Sequence, residues 1–255
     1  MRILETLAVA FSMFSALPMP RVEWNEDNLR YALCAFPLIG AVIGLVCWLW
    51  YLLGGLLHLP GLLMGAGWCL LPLLLTGGIH MDGFCDTCDA LASHAHPERK
   101  QEILKDPRLG AFGAIRLGMY FIACLALWAC LPAYRPVPVL LGFCLSRSLS
   151  GLAVTRFPLA RNTGLAHSFA QAADRCRAGT ILLFTALLLS AGLCLCGLGG
   201  AAMALSAWGV FAYYRHMAAR QFGGISGDLA GWFLQTAELW MLAALCLVQY
   251  LEAML

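Results

Sequence analysis

The chain has 255 residues, of which 61% are hydrophobic and only 12% charged, and its mean hydropathy is +0.78. A water-soluble domain runs nearer about 45–50% apolar and about 25% charged, so the composition excludes an ordinary soluble protein and indicates an integral membrane protein with lipid as a partner. A net charge of +2 is too small to mark nucleic acid as another.

Residues 3–17 are apolar with Glu5, Ser12 and Ser15 inserted. The stretch is short for a membrane crossing, and it predicts an interfacial helix. Glu5 and the Pro18-Met19-Pro20 sequence also argue against a cleaved signal peptide. Further apolar runs predict seven spans, near 32–57, 61–78, 113–132, 137–155, 179–197, 200–216 and 229–250. Leu59-Pro60-Gly61, the stretch from Pro132 to Pro138, and Gly197-Leu198-Gly199-Gly200 mark tight joints between antiparallel helices. Most of the twelve cysteines lie inside apolar runs and read as small buried side chains.

Arg and Lys gather in 18–31, 79–112, 156–178 and 215–228, while the alternate connections hold only Arg135. The positive-inside rule therefore places those four segments in the cytoplasm and the C-terminus on the far side. No internal repeat interrupts the pattern. The expectation is one all-α polytopic membrane domain over residues 1–255, with about seven transmembrane helices, an N-terminal interfacial helix and an active site on the cytoplasmic face. The oligomeric state is left open, a homo-oligomer included.

The acidic run Gly77-Gly78-Ile79-His80-Met81-Asp82-Gly83-Phe84-Cys85-Asp86-Thr87-Cys88-Asp89 carries the strongest chemical signal. On a helix, Asp82, Asp86 and Asp89 fall within an arc of about 60°. Three carboxylates that close repel one another unless a cation lies between them, and oxygen ligands suit a hard divalent ion such as Mg²⁺. Helix packing has no use for three like charges on one stripe. A competing zinc reading rests on Cys85 and Cys88 with His80, His94 and His96.

A second motif follows: Asp106-Pro107-Arg108-Leu109-Gly110-Ala111-Phe112-Gly113. Asp-Pro predicts a helix start with Asp106 as N-cap, and Glu102 would then share its face. Arg108 is suited to a phosphate. A third motif, Gly223-Gly224-Ile225-Ser226-Gly227-Asp228, precedes the last span. Its glycines either let the backbone approach a phosphate at a helix N-terminus or form a plain turn, and Asp228 either caps the helix or binds metal. Arg147 and Glu238 are charges inside apolar helices, each a candidate substrate-binding residue; for Arg147 a structural ion pair is the alternative.

These three motifs resemble the cobalamin synthase (adenosylcobinamide-GDP ribazoletransferase) family. Leu17-Pro18-Met19-Pro20, Phe36-Pro37-Leu38-Ile39-Gly40, Ser146-Arg147 and Gly164-Leu165 fit the same pattern, so the resemblance covers the whole chain. Ala90 and Gln235 stand where relatives carry Gly and, in some cases, Glu. The resemblance implies a bacterial inner-membrane transferase that joins α-ribazole, or its 5′-phosphate, to adenosylcobinamide-GDP with release of GMP. In this reading the ribose 5′-oxygen attacks the phosphorus nearer the corrinoid. Asp82, Asp86, Asp89, Asp106 and Asp228 are then the catalytic candidates, with Mg²⁺ on the first three. His80, Arg108, Arg147, Gly223, Gly224, Gly227 and Glu238 become substrate-binding candidates. Two alternatives are a CDP-alcohol phosphotransferase-like lipid enzyme and a cation-coupled transporter. The first lacks its Ala-Arg pair, since Cys85 and Asp86 stand there; the second is disfavoured because the acids cluster on one face.

Overall fold

A chain in lipid must satisfy its backbone hydrogen bonds internally, which here means helices. The computed structural model describes residues 2–160, 171 and 173–255; Gly164-Leu165, singled out above, lie outside the described residues. In chain order the helices are α1 (Arg2–Phe14), α2 (Glu26–Leu29), a 3₁₀ turn (Ala32–Ala35), α3 (Phe36–Leu56), α4 (Gly61–Thr76), α5 (Ile79–Ala92), α6 (Pro97–Ile103), α7 (Ala111–Ala129), α8 (Pro136–Arg156), α9 (Arg175–Leu195), α10 (Leu198–Phe222) and α11 (Gly227–Met254). Extended pairing among the described residues is limited to one isolated parallel bridge, Leu159 with Ile225.

The helical membrane fold agrees with the expectation, but the spans differ in detail. Five helical stretches are long and apolar enough to cross a membrane: Asp27–Leu56, α7, α8, α9 and α11. The helices α4 and α5 pass the same test only as a pair bent by 96°, giving up to six. Alone, the 16 residues of α4 reach about 24 Å, short of about 30 Å of hydrocarbon. The remaining expected span, 200–216, lies in α10, which has 25 residues but is diluted by Gly, Ala and Ser and carries Arg215, His216 and Arg220 towards its end.

The bend has a local cause. Gly77 ends α4 and Gly78 precedes α5 with φ of 64° and 79°, a left-handed backbone that glycine adopts without strain. We therefore read α4 as the crossing half and α5 as lying outside the crossing part, against the start of α11.

One end of the bundle gathers the ends that the loop charges grouped together. Ala16 N donates to Leu75 O (2.8 Å), Gln101 Nε2 to Phe222 O (2.6 Å), Arg175 Nε to Thr155 O (3.2 Å) and Ala160 N to Ile225 O (2.9 Å). At the opposite end, Gln249 exchanges hydrogen bonds with Ala133, and Tyr250 donates to Cys130 O. Leu45, Leu49 and Leu52 of α3, and Phe184, Leu187 and Leu188 of α9, point outward and exposed. Such a surface suits hydrocarbon rather than water.

Candidate active site

The 14-residue helix α5 puts Asp82, Asp86 and Asp89 on one stripe, as the spacing predicted. Its neighbours then give the three acids different tasks. Asp89 accepts from Gly110 N and Gly113 N, each at 2.8 Å. It thus caps the N-terminus of α7 from another helix, where unpaired amides and the helix dipole favour a carboxylate. A Cβ at either glycine would sit 2.4 Å from an Asp89 oxygen, which explains the Gly-x-x-Gly of the second motif. Each Asp89 oxygen accepts one of these amides, which gives Asp89 a capping role that the spacing alone did not predict.

The expected start of a helix at Asp106 is corrected as well. The helix begins at Ala111 with Gly110 as its N-cap residue. Asp106 instead folds onto Arg108, accepting from its N (3.1 Å), Nε (2.9 Å) and Nη2 (2.8 Å). That guanidinium holds the Asp106 carboxyl down to about 2. Arg108 is otherwise exposed. Glu102 shares no helix face with Asp106 and pairs with Arg99 at 2.6 Å.

Two glycines missed as site residues bring the distant motifs together. A Cβ on Gly83 would lie 2.7 Å from both Cα and O of Asp228, and one on Gly231 would lie 2.7 Å from His80 O. Helices α5 and α11 thus meet backbone to backbone, as small residues permit. This seam brings the Asp82/Asp86 edge and Asp228 to one place. Asp86 records the crowding: burial first, then the charges of Asp82, Asp228, Asp89 and Asp106, push its carboxyl up to about 6. The sequence signal was the Gly inside Asp-Gly-x-x-Asp, a position with no chemistry of its own.

Beside the seam lies a cavity of about 320 Å³. Its polar end holds His80, Asp82, Gly227 and Asp228; its walls include Met13 and Phe14 of α1, Phe36 of α3 and Val154 of α8. His80 is buried and its Nε2 has no hydrogen-bond partner. Among the described residues, no three His, Cys, Asp and Glu side chains converge as a ready-made metal site. Cys85 and Cys88, the thiols of the zinc alternative, share α5 with the acids, and burial is the main cause that pushes them up to about 11 and about 12.

In the third motif, Ser226 is the N-cap of α11, its Oγ accepting from Leu229 N at 3.3 Å; Asp228 is not the cap. Gly223 ends α10 with φ of 74°. Gly224, with φ of 156°, presses on another part of the chain, where a Cβ would meet Leu159 C at 2.5 Å and Pro158 O at 2.6 Å. The close approach expected towards a phosphate is thus met at Gly224 by residues 158–160. Only Gly227 of the three has open space around it, and it lines the cavity. Gly224→Ala is accordingly expected to cost about 1–3 kcal/mol of stability, seen as a lower Tm, with the KM of the remaining folded protein little changed.

Arg147 and Glu238 meet each other. The buried guanidinium bonds to the Glu238 carboxylate, and Ser146 Oγ joins at 3.0 Å from Glu238 Oε1 and 2.9 Å from Arg147 Nη1. Glu238 lines a separate, smaller cavity of about 50 Å³ between helices, not the one at the seam. Nearby, Gln235 accepts from Tyr120 at 2.6 Å. These residues bind α8, α7 and α11 together, so Arg147 makes the structural ion pair that the sequence left open as its alternative, with Glu238 as the partner. Removing one partner of such a buried pair leaves an uncompensated charge, costing about 3–5 kcal/mol. Arg147→Met alone should therefore lower Tm sharply, and adding Glu238→Leu should recover much of the loss.

Residues 6–246 match the family model described as cobalamin-5-phosphate synthase. Among curated relatives, an adenosylcobinamide-GDP ribazoletransferase of Lachnoclostridium phytofermentans is 43% identical over 246 residues, covering 94% of this chain and 92% of that one. Proteins of the same name from Desulfitobacterium hafniense (33% identical; 91% and 93% covered) and Clostridium botulinum strain Alaska E43 (31%; 94% and 96%) are similar along their length. No solved structure matches the chain. With its three motifs meeting at one end of a helical bundle and the match running almost end to end, the chain belongs to the cobalamin-5-phosphate synthase family.

Proposed function

We propose that this chain joins α-ribazole, or α-ribazole 5′-phosphate, to adenosylcobinamide-GDP and releases GMP, at the cytoplasmic face of a bacterial inner membrane. The observation that carries the reading is the Gly83–Asp228 contact, which sets acids from two motifs far apart in sequence beside one cavity. The relatives' names supply the substrates.

A cobalamin 5-phosphate product keeps the phosphate that its acceptor brought on the 5′-oxygen. The attacking group is therefore a secondary ribose hydroxyl, not the 5′-oxygen. Its oxygen bonds to the phosphorus nearer the corrinoid, the anhydride P–O bond breaks, GMP leaves with the bridging oxygen, and the hydroxyl proton passes to a carboxylate. Phosphoryl-type transfer asks for positioning and charge neutralisation more than covalent help.

Asp82, Asp86 and Asp228 fit Mg²⁺ in charge and donor type: all offer oxygen, and the Asp86 carboxyl is raised by burial first and then by the neighbouring carboxylates, Asp82 and Asp228 among them. Bound there, Mg²⁺ would supply charge neutralisation at the diphosphate. Asp89 acts one step back, fixing the start of α7 and the Asp106–Gly110 turn. Arg108, exposed at the edge of that turn and paired with Asp106, is the cation we assign to a substrate phosphate.

The test is detergent-purified protein, without any gradient, given adenosylcobinamide-GDP, α-ribazole and Mg²⁺. GMP and the joined product should appear in equal amounts; no joined product sinks the reading. For topology, a C-terminal reporter that fluoresces only in the cytoplasm should stay dark, and a bright one would place the bundle the other way round.

A further inference from the structure

We propose that the cavity beside the seam is the acceptor subsite: it takes the base of α-ribazole between the walls from α1, α3, α8 and α11, and turns the ribose towards His80, Asp82 and Asp228. This rests on the reaction proposed above and assigns a substrate to one part of the site.

Size comes first. A volume of about 320 Å³ lies at the small end of ligand sites, which run about 300–1,000 Å³. It suits a bicyclic base with part of its sugar and is far too small for a corrin macrocycle with its side chains.

Polarity points the same way. Met13, Phe14, Leu33, Phe36, Val154 and Leu234 line it with apolar surface, and the Phe14 and Phe36 rings lie 4.4 Å apart at 31°. Aromatic faces of this kind favour a flat, uncharged, methylated base such as that of α-ribazole. Guanine, edged with donors and acceptors, would lose most of its hydrogen bonds against such walls. The charged lining residues are the carboxylates Asp82 and Asp228, and no Arg or Lys among the described residues lines the cavity.

The third observation is His80. Its Nε2 is buried without a partner on a side chain only 6% exposed, in a residue that lines the cavity. A buried polar atom of this kind generally has a partner, and a ribose hydroxyl offers one as donor or acceptor. His80 would hold the sugar where the carboxylates lie.

Two substitutions fill the cavity without touching an acid: Ala230→Leu at the start of α11 and Val154→Phe on α8. Each should raise the KM for α-ribazole about tenfold or more, the scale set by misfitting a few carbons in a pocket. The KM for adenosylcobinamide-GDP should stay within about twofold. Binding is read separately, by equilibrium dialysis of α-ribazole against purified protein without the donor. Wild type should bind and both variants should bind at least about tenfold more weakly. Tm confirms that at least one variant is folded, and His80→Gln, which keeps a hydrogen-bonding group, should bind α-ribazole better than His80→Leu.

Unchanged α-ribazole binding in a folded, filled variant overturns the assignment even if wild type turns over normally. So does a KM shift that falls on the donor instead. If wild type binds α-ribazole and the filled variants do not, the subsite stands even where turnover fails, and only the reaction reading is lost.

Discussion

Asp86→Asn is expected to cut turnover by at least about 10³-fold, roughly 4 kcal/mol of transition-state stabilisation, while the protein still inserts and purifies. Asp86 is the most crowded of the acids on the seam, with four carboxylates contributing to its raised carboxyl. Asparagine keeps the shape and removes the charge that would hold a cation. Because that charge is unfavourable to the folded state in the absence of a cation, the variant should be no less stable than wild type. Steady-state rates together with Tm check this: a slow, stable enzyme is the expected result, and near-normal turnover would remove Asp86 from the chemistry.

Gly83→Ala is expected to be nearly as damaging, by a different route. The new Cβ would sit 2.7 Å from the Asp228 backbone, and both neighbours are main chain that cannot rotate aside. Helices α5 and α11 must part, separating Asp82 and Asp86 from Asp228. A misplacement on the order of 1 Å near reacting groups costs about 10²-fold in rate, so kcat/KM should fall at least that far. Gly118→Ala is the control, because a Cβ there meets nothing within 4 Å. It should leave rate and stability near wild type, alanine being the better helix former. Equal behaviour of the two variants would mean that the seam does not need the close approach.

The helical membrane fold was legible in composition and in the alternation of basic loops, because both follow from the solvent rather than from particular contacts. The number of crossings was less so. Hydropathy alone joins 61–78 into one run, and only the left-handed pair Gly77-Gly78 shows that the chain turns by 96°. At the site, periodicity placed Asp82, Asp86 and Asp89 on one stripe correctly but could not say what faces each of them. Asp89 meets the amides of Gly110 and Gly113, a partner 21 and 24 residues away, and local sequence carries no record of that pairing. Arg147 and Glu238 looked functional for the same reason, since a lone charge in an apolar helix shows its cost but hides its partner. The glycines of the third motif also divided on the structure: Gly223 and Gly224 serve the turn, and Gly227 opens on the cavity.

The most direct test of a shared acidic seam is Mn²⁺ binding, followed by EPR on the detergent-purified chain with Mn²⁺ standing in for Mg²⁺. Asp82→Asn, Asp86→Asn and Asp228→Asn should each weaken binding by about 10–100-fold or more, although Asp228 lies on a different helix from the other two. Asp106→Asn, whose carboxylate is bound to Arg108, should bind within about twofold of wild type, the level at which a surface charge acts through solvent. Tight Mn²⁺ binding that survives Asp228→Asn, or that is lost with Asp106→Asn instead, would contradict a metal site built across α5 and α11.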